Sequence, residues 1–446
     1  MNSVTVYQKL VQSIGWNACE SIVYHVLYAL HQIVLFNTVP YEEYGRISVA
    51  FSMLYLAVWI LDLGFDTALC PFWFFWSQSK KRVVSFLTYN SIPTIIAWIL
   101  LSIAIMLVGT FHGYHVAPSL RLITSIAIAA EIVRRLSKTI LQLLFKNRDI
   151  AVAELIFIGS YISCVWSIWA MGIPLTVYTT VAPLLASSLI SALICLTQVL
   201  RWYRALADQS NTDDELHYSR IARFRLYSYG NSMGTLFFSS NFLVPLFGLK
   251  FGASHAGLLK LSGSVVHSIT IVLQKTFGNA CKAILANTRS NNDITQKEAF
   301  CTITRYLYQL LYGLLIFCII NHRFLIHISG AADLHSGILL ILFFVISLLD
   351  NFAITYEKLY EINERPDLLC LFNGIGTLLM MILITSSISA VPLLVIMTLI
   401  RISILALTGC MTFAIYRISP YQTIEPIFIL GMILLSLCFF LFFGNT

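Results

Sequence analysis

Charge is what this 446-residue sequence has least of. Asp, Glu, Lys and Arg make up 11% of it, where a soluble globular domain carries about 25%. With so few polar groups, a chain of this length cannot cover a water-soluble fold. Its ten cysteines contain no C-x-x-C pair, and Cys70, Cys164, Cys195 and Cys410 lie singly inside apolar runs. They read as small buried hydrophobes, not as disulfides or metal ligands. No G-x-x-x-x-G-K-[ST] loop occurs, so no ATP-driven motor is encoded here. The filter-like glycine run of a tetrameric potassium pore is also missing. The formal charge of +7, from 28 Lys and Arg against 21 Asp and Glu, comes with no basic tail, arginine-rich segment or zinc spacing. Nucleic acid is thereby set aside as a partner.

What fills the sequence instead is apolar: 58% of residues are hydrophobic. They arrive in runs of about 20 to 27, the length an α-helix needs to cross roughly 30 Å of hydrocarbon. The chain therefore reads as an all-α polytopic membrane protein. Runs bounded by charge, Pro and Gly place helices at 12–36, 46–72, 83–110, 120–144, 150–171 and 175–200. After a polar stretch they resume at 224–247, 256–284, 300–320, 334–356, 368–389, 391–416 and 424–443. The organisation expected is a six-helix lobe over 1–200, a central cytoplasmic loop over 201–223, a second six-helix lobe over 224–416 and a further helix within 417–446. The first helix, preceded by a single basic residue and no cleavage-site pattern, reads as retained and not as a cleaved signal.

Charge in the connections tests this layout independently. With the N-terminus inside, the inner connections carry fifteen basic residues: Lys9, Lys80, Lys81, Arg82, Lys146, Arg148, Arg201, Arg204, Arg220, Arg223, Arg289, Lys297, Lys358, Arg365 and Arg417. The outer ones carry four: Arg46, Arg121, Lys250 and Arg323. That asymmetry obeys the positive-inside rule and puts the N-terminus in the cytoplasm. A two-lobed secondary transporter is the architecture such a count suits.

Ionisable groups inside spans are costly and mark function or buried pairs. The fourth helix carries Glu131, Arg134, Arg135, Lys138 and Gln142, with Glu131 and Arg135 spaced i,i+4 for a pair. One acid cannot neutralise three bases. The surplus suits an anionic headgroup such as a lipid-linked diphosphate; alternatively Lys138 snorkels and the arginines pair with acids of a neighbouring helix. Asp62 and Asp66 of the second helix, on a face with Tyr55 and Trp59, are candidates for that pairing or for ion coupling. The eighth helix aligns Lys260, Ser264, His267, Gln274 and Lys275 on one stripe, a track for an anion or a lobe-edge helix whose lysines snorkel. Arg401 stands mid-helix, where snorkelling is difficult. The first helix has Asn17, Glu20, Tyr24, Tyr28 and His31, with Glu20 the candidate for proton or cation coupling. His25 and His31 are equally core residues, and Glu154 and Asp350 are weaker members of the same class. None of these sets is a catalytic constellation, and the outer loops are too short to hold a sugar nucleotide, so an enzyme is not expected.

Several stretches resemble the multidrug/oligosaccharidyl-lipid/polysaccharide (MOP) exporter superfamily, in its polysaccharide-biosynthesis, O-antigen (Wzx-like) flippase branch. They are Tyr44-Gly45-Arg46 followed by Leu61-Asp62-Leu63-Gly64-Phe65, the basic stripe leading to Phe145-Lys146-Asn147-Arg148-Asp149-Ile150, and the stretch from Phe247 to Ala256 entering Gly257-Leu258-Leu259-Lys260-Leu261. The resemblance implies a MATE-like fold, two six-helix bundles around a central cavity with alternating access. It implies flipping of an undecaprenyl-diphosphate-linked oligosaccharide, such as an O-antigen unit of lipopolysaccharide, across the bacterial inner membrane. By position Lys260 would hold the diphosphate, with Arg134 and Arg135 as companions. No cofactor is expected beyond H+ or Na+ coupling. The partners implied are the lipid-linked glycan, membrane lipids, and a polysaccharide polymerase and ligase. In the first helix the peptidoglycan-precursor flippase keeps a base beside an acid, whereas here Glu20 has no adjacent base. Multidrug efflux is the rival within the same architecture; it favours an aromatic, acidic cavity, and the excess of bases inside the proposed spans tells against it. A symporter would show helices broken by Gly or Pro in both halves. A non-transporting assembly partner would pair off all these charges.

Overall fold

The computed structural model describes residues 3–69, 72, 76–107, 110–111, 114–115, 117–144, 146–206, 218–261, 263–264, 293–320, 342, 345–346, 349, 351–363, 365–386, 388–416 and 418. These residues divide between two compact units. The first comprises Met1–Tyr229 and Val244–Ser254, the second Gly230–Leu243 and His255–Thr446.

In the first unit the chain forms α1 (Ser3–Thr38), α2 (Tyr41–Asp62), α3 (Phe65–Leu69) and α4 (Lys80–Leu107). A two-residue hairpin, β1 (Thr110–Phe111) with β2 (Tyr114–His115), precedes α5 (Pro118–Leu143), α6 (Asn147–Ala170) and α7 (Val177–Ala205). The chain then forms α8 (Tyr218–Leu236), α9 (Ser240–Phe251) and the helical stretch α10 (253–261), each with residues in both units. The second unit holds α11 (Asp293–Ile320), α12 (Ile354–Ile362), α13 (Pro366–Thr385) and α14 (Ala390–Tyr416). Among the described residues, seven helices are long and apolar enough to cross a membrane. The pair α8 and α9, bent by 48° at its break, makes an eighth if counted as one span. The chain is thus multi-pass; most of the eighth and tenth expected helices and all of the thirteenth lie outside the described residues.

Local sequence sets the helix ends. Proline occupies the first turn of α5 (Pro118) and of α13 (Pro366), where its missing N–H costs nothing. At α7, Thr176 accepts from the Thr179 N–H while the Thr176 N–H donates to Thr179 Oγ1 at 2.7 Å, a reciprocal cap. Glu42 and Glu43 open α2 and Asp149 opens α6, each placing negative charge at a positive helix end.

One expected span is corrected. The second helix does not run unbroken to residue 72; α2 stops at Leu63 (φ 48°) and Gly64 (φ 73°), and α3 starts afresh. Two consecutive left-handed residues end the hydrogen-bond ladder. A Cβ on Gly64 would also lie 2.7 Å from the Arg225 carbonyl oxygen. At the other end of α2, a Cβ on Gly45 would run into the carbonyl of Ala253. Gly64 and Gly45, the two glycines of the first resembling motif, therefore mark a helix break and a close backbone approach.

Packing in the first unit centres on α5, which lies along α7 more extensively than any other helix pair. Buried small residues, Ala127 and Ala130 on α5 and Ser187, Ser188, Ser191 and Ala192 on α7, let the backbones approach. Beside them Trp76 stacks on Phe86 at 5.2 Å over a core of Leu141, Ile150, Ala153 and Val199. By contrast α4 turns Ile95, Ile96, Ile99, Leu100 and Ile103 outward, as a lipid-facing helix does. In the second unit Phe300, Leu307, Tyr308 and Leu311 of α11 pack with Phe352, Tyr356 and Leu405.

Candidate functional site

Three helices deliver the charges that meet in the first unit: α1 brings Glu20, α5 brings Glu131, Arg134 and Lys138, and α6 brings Glu154. Arg134 Nη2 sits 2.7 Å from Glu131 Oε2, and Arg134 Nη1 sits 2.7 Å from Glu154 Oε1. The guanidinium also lies 4.2 Å from the centre of the Phe157 ring. Ser188 of α7 donates to the other Glu131 oxygen. Lys138 Nζ is 3.4 Å from Glu154 Oε1 and 3.6 Å from Glu20 Oε1. All three glutamates are 3% exposed, so these contacts stand in for the water each charge has lost.

A second knot ties the α2 break to α5 and α8. Arg135 Nε donates to Asp66 Oδ2 at 3.1 Å, and Thr139 donates to Asp66 Oδ1. Asp62 Oδ1 accepts the Asp66 backbone N–H at 3.1 Å, capping α3. From α8, Arg225 donates through Nε and Nη2 to the Leu63 carbonyl at 3.2 and 3.1 Å, and through Nη1 to Asn90 Oδ1 at 2.8 Å. The Tyr229 hydroxyl adds a bond to the Ile60 carbonyl at 3.1 Å. Two of the carbonyls at the break, those of Ile60 and Leu63, are thus satisfied by side chains.

These distances correct the expectation of surplus positive charge. Glu131 pairs with Arg134 at i,i+3, not with Arg135 at i,i+4, and Arg135 turns to Asp66. Glu20 finds its base not on α1 but in Lys138 of α5. Counted together, the two knots hold five carboxylates (Glu20, Asp62, Asp66, Glu131, Glu154) and four bases (Arg134, Arg135, Lys138, Arg225). The reason is tertiary: beyond Glu131, the acids that balance α5 come from other helices, Glu20 of α1, Asp66 of α3 and Glu154 of α6. The argument against an acidic, efflux-like interior falls for this unit by the same count.

Elsewhere His31 is a core residue, its Nδ1 accepting from Trp166 Nε1 at 3.2 Å and its ring edge-on to Tyr161 at 5.2 Å. His25 is buried against Tyr24 at 4.8 Å. Lys260, on α10, is 7% exposed, and its carbonyl accepts from Ser264 Oγ. In the second unit Arg401, 2% exposed, donates from Nη1 to Asn373 Oδ1 at 3.1 Å and lies 5.3 Å from the Phe238 ring. Asn373 Nδ2 in turn donates to Asn231 Oδ1 at 2.7 Å. His267, Gln274, Lys275 and Asp350 lie outside the described residues. Among the described residues no group of three or more His, Cys, Asp and Glu could hold a metal ion. Several participants escaped the sequence reading, among them Thr139, Asn90 and Tyr229, as well as Ser188, whose signal was a run of small residues on an apolar helix, and Arg225, whose signal was a base just inside a span.

The fold has solved counterparts. An inward-facing multidrug-resistance MATE transporter of the MOP superfamily superposes with a TM-score of 0.55 at 12% identity, over 94% of this chain and 95% of that one. The lipid II flippase MurJ in an inward closed conformation gives 0.57 at 13% identity, over 97% and 93%. A MOP superfamily transporter from Pyrococcus furiosus gives 0.52 at 10% identity, over 91% and 96%. A comparison with curated proteins finds no match. The chain is therefore an all-α, multi-pass membrane protein of MATE-like fold. The family model described as "Polysaccharide biosynthesis protein" matches residues 39–329, and the chain belongs to that family.

Proposed function

We propose that this protein is an alternating-access flippase that moves an anionic polyprenyl-diphosphate-linked glycan, such as an O-antigen or other polysaccharide repeat unit, across the bacterial inner membrane, with its N-terminus in the cytoplasm. The observation that carries the reading is the family match over residues 39–329. Polysaccharide assembly needs a lipid-linked sugar moved to the other side of the bilayer, and the shared fold of a lipid II flippase supports that role for this scaffold.

The charge arrangement divides the labour among residues. Lys260 and Arg401, buried and basic, are assigned to the diphosphate, with His267 and Lys275 of the same expected track as Lys260. Arg134, Arg135 and Lys138, engaged by carboxylates, act on the substrate only through the helices they hold in place. Glu20, beside Lys138, is the candidate for H+ or Na+ coupling, because a change in its charge alters what Lys138 is paired with. Asp62 and Asp66 belong to the α2 break and couple to it. The polymerase and ligase expected as partners act on the glycan once it has crossed.

Multidrug efflux is the second reading, favoured by the carboxylate count of the first unit and by the MATE neighbours. Mass spectrometry of lipid co-purified with the full chain separates the two. A polyprenyl-diphosphate glycan that leaves when Lys260 and Arg401 are replaced by Gln supports the flippase. Its absence from wild-type protein, together with saturable binding of a lipophilic cation, overturns it.

A further inference from the structure

The first unit has an open groove of 820 Å³ at the Lys80 end of α4, lined by residues other than those of the two charge knots. Its polar walls are Lys80, Lys81, Ser85, Thr88, Tyr203 and Tyr218, and among the described residues no carboxylate lines it. Three consecutive bases begin this helix, but they divide. Arg82 turns inward, 9% exposed, and donates to Gln78 Oε1 at 2.8 Å, while Lys80 and Lys81 face the groove. The hydroxyl wall is fixed in place: Ser85 Oγ and the Tyr218 hydroxyl lie 2.7 Å apart, and the Tyr218 ring packs 4.6 Å from that of Tyr89.

The apolar part of the groove, Val84 and Ile92, runs directly into the outward stripe of α4, where Ile95, Ile96, Ile99, Leu100 and Ile103 are 45–63% exposed. From Lys80 to Ile92 the helix rises about 18 Å at 1.5 Å per residue, enough to span a headgroup and the first part of an acyl chain. Cationic and hydroxyl donors at the interface with hydrocarbon-lined helix beyond them match a molecule with a phosphate at one end and an acyl tail at the other.

We propose that this groove is a binding site for a resident anionic phospholipid of the leaflet at the Lys80 end of α4, its phosphate held by Lys80, Lys81 and the Ser85, Thr88 and Tyr218 hydroxyls and its acyl chain laid along α4. On the positive-inside count that leaflet is the cytoplasmic one. The site is distinct from the buried bases assigned to the transported lipid, although a polyprenyl diphosphate carries the same headgroup chemistry.

Native mass spectrometry of the purified full chain, titrated with phosphatidylglycerol and separately with phosphatidylcholine, tests it. Wild-type protein is expected to retain phosphatidylglycerol in preference. With both interfacial lysines removed, Lys80→Gln/Lys81→Gln weakens retention by roughly thirtyfold. The charge-keeping Lys80→Arg/Lys81→Arg pair and the distant Lys250→Gln are expected to retain it. Equal retention by wild type and the Gln pair, or no preference over phosphatidylcholine, overturns the site. Two further outcomes also overturn it. Displacement of phosphatidylglycerol by one equivalent of undecaprenyl diphosphate assigns the groove to the transported lipid. Retention that appears only after Asp213, Asp214 and Glu215 are changed to their amides assigns it to the chain's own acidic segment.

Discussion

At the scale of single residues, the account turns on Arg134, held between Glu131 and Glu154 at 2.7 Å on each side. Taking one partner from a buried pair leaves the other charge uncompensated, at a cost of about 3–5 kcal/mol. Arg134→Ala is therefore expected to lower the thermal unfolding midpoint in detergent sharply, a loss that a residue devoted to substrate alone would not cause. Combining it with Glu131→Gln and Glu154→Gln should restore part of the stability, because no bare charge then remains. A melting curve for Arg134→Ala that overlays the wild type contradicts the pairing. The residues of this site were legible singly: Glu20, Glu131, Arg134, Arg135, Lys138 and Glu154 all stand out as charges in apolar runs. Of their partners only Asp66, a candidate for the arginines of the fourth helix, was legible and meets Arg135; the others were not, since spacing along one helix shows which residues share a face and not which neighbour meets it. That is why an i,i+4 pair was expected where the structure makes an i,i+3 pair and two contacts to other helices.

At the scale of elements, hydropathy located most spans well. The helix expected over 120–144 is α5 (Pro118–Leu143), and that over 391–416 is α14 (Ala390–Tyr416). What it could not show is a change of backbone direction inside an apolar run, as at Leu63–Gly64 or at the 48° bend between α8 and α9. The strand pair of Thr110–Phe111 with Tyr114–His115 falls almost wholly in the connection between the third and fourth expected helices, where hydropathy carries no signal for it. Gly64 is held at φ 73°, a conformation that costs a residue with a Cβ about 1–2 kcal/mol before any clash. Gly64→Ala should destabilise by that amount or more, because the added methyl meets the Arg225 carbonyl. Gly45→Ala should be worse, since Ala253 opposes it with backbone and not with a side chain that can move. Arg225→Met, which strips the fork from the Leu63 carbonyl, should raise hydrogen exchange of the α2–α3 junction while leaving α6 and α7 protected. Unchanged exchange at the junction would remove Arg225 from its role.

At the scale of the whole molecule, composition alone established the class, because a chain with 11% charged residues has no way to be a soluble fold of this size. Family and fold then place the chain in polysaccharide biosynthesis on a MATE-like membrane scaffold, and the flippase proposal is what remains to be tested. The direct measurement is translocation in sealed vesicles reconstituted with the purified full chain, scored by a glycan-binding reagent confined to one side. The account predicts that a polyprenyl-diphosphate glycan crosses faster than in protein-free vesicles and that Lys260→Gln/Arg401→Gln, checked to melt like the wild type, abolishes the gain. Crossing no faster than in empty vesicles, from protein that does move a lipophilic cation, would contradict it.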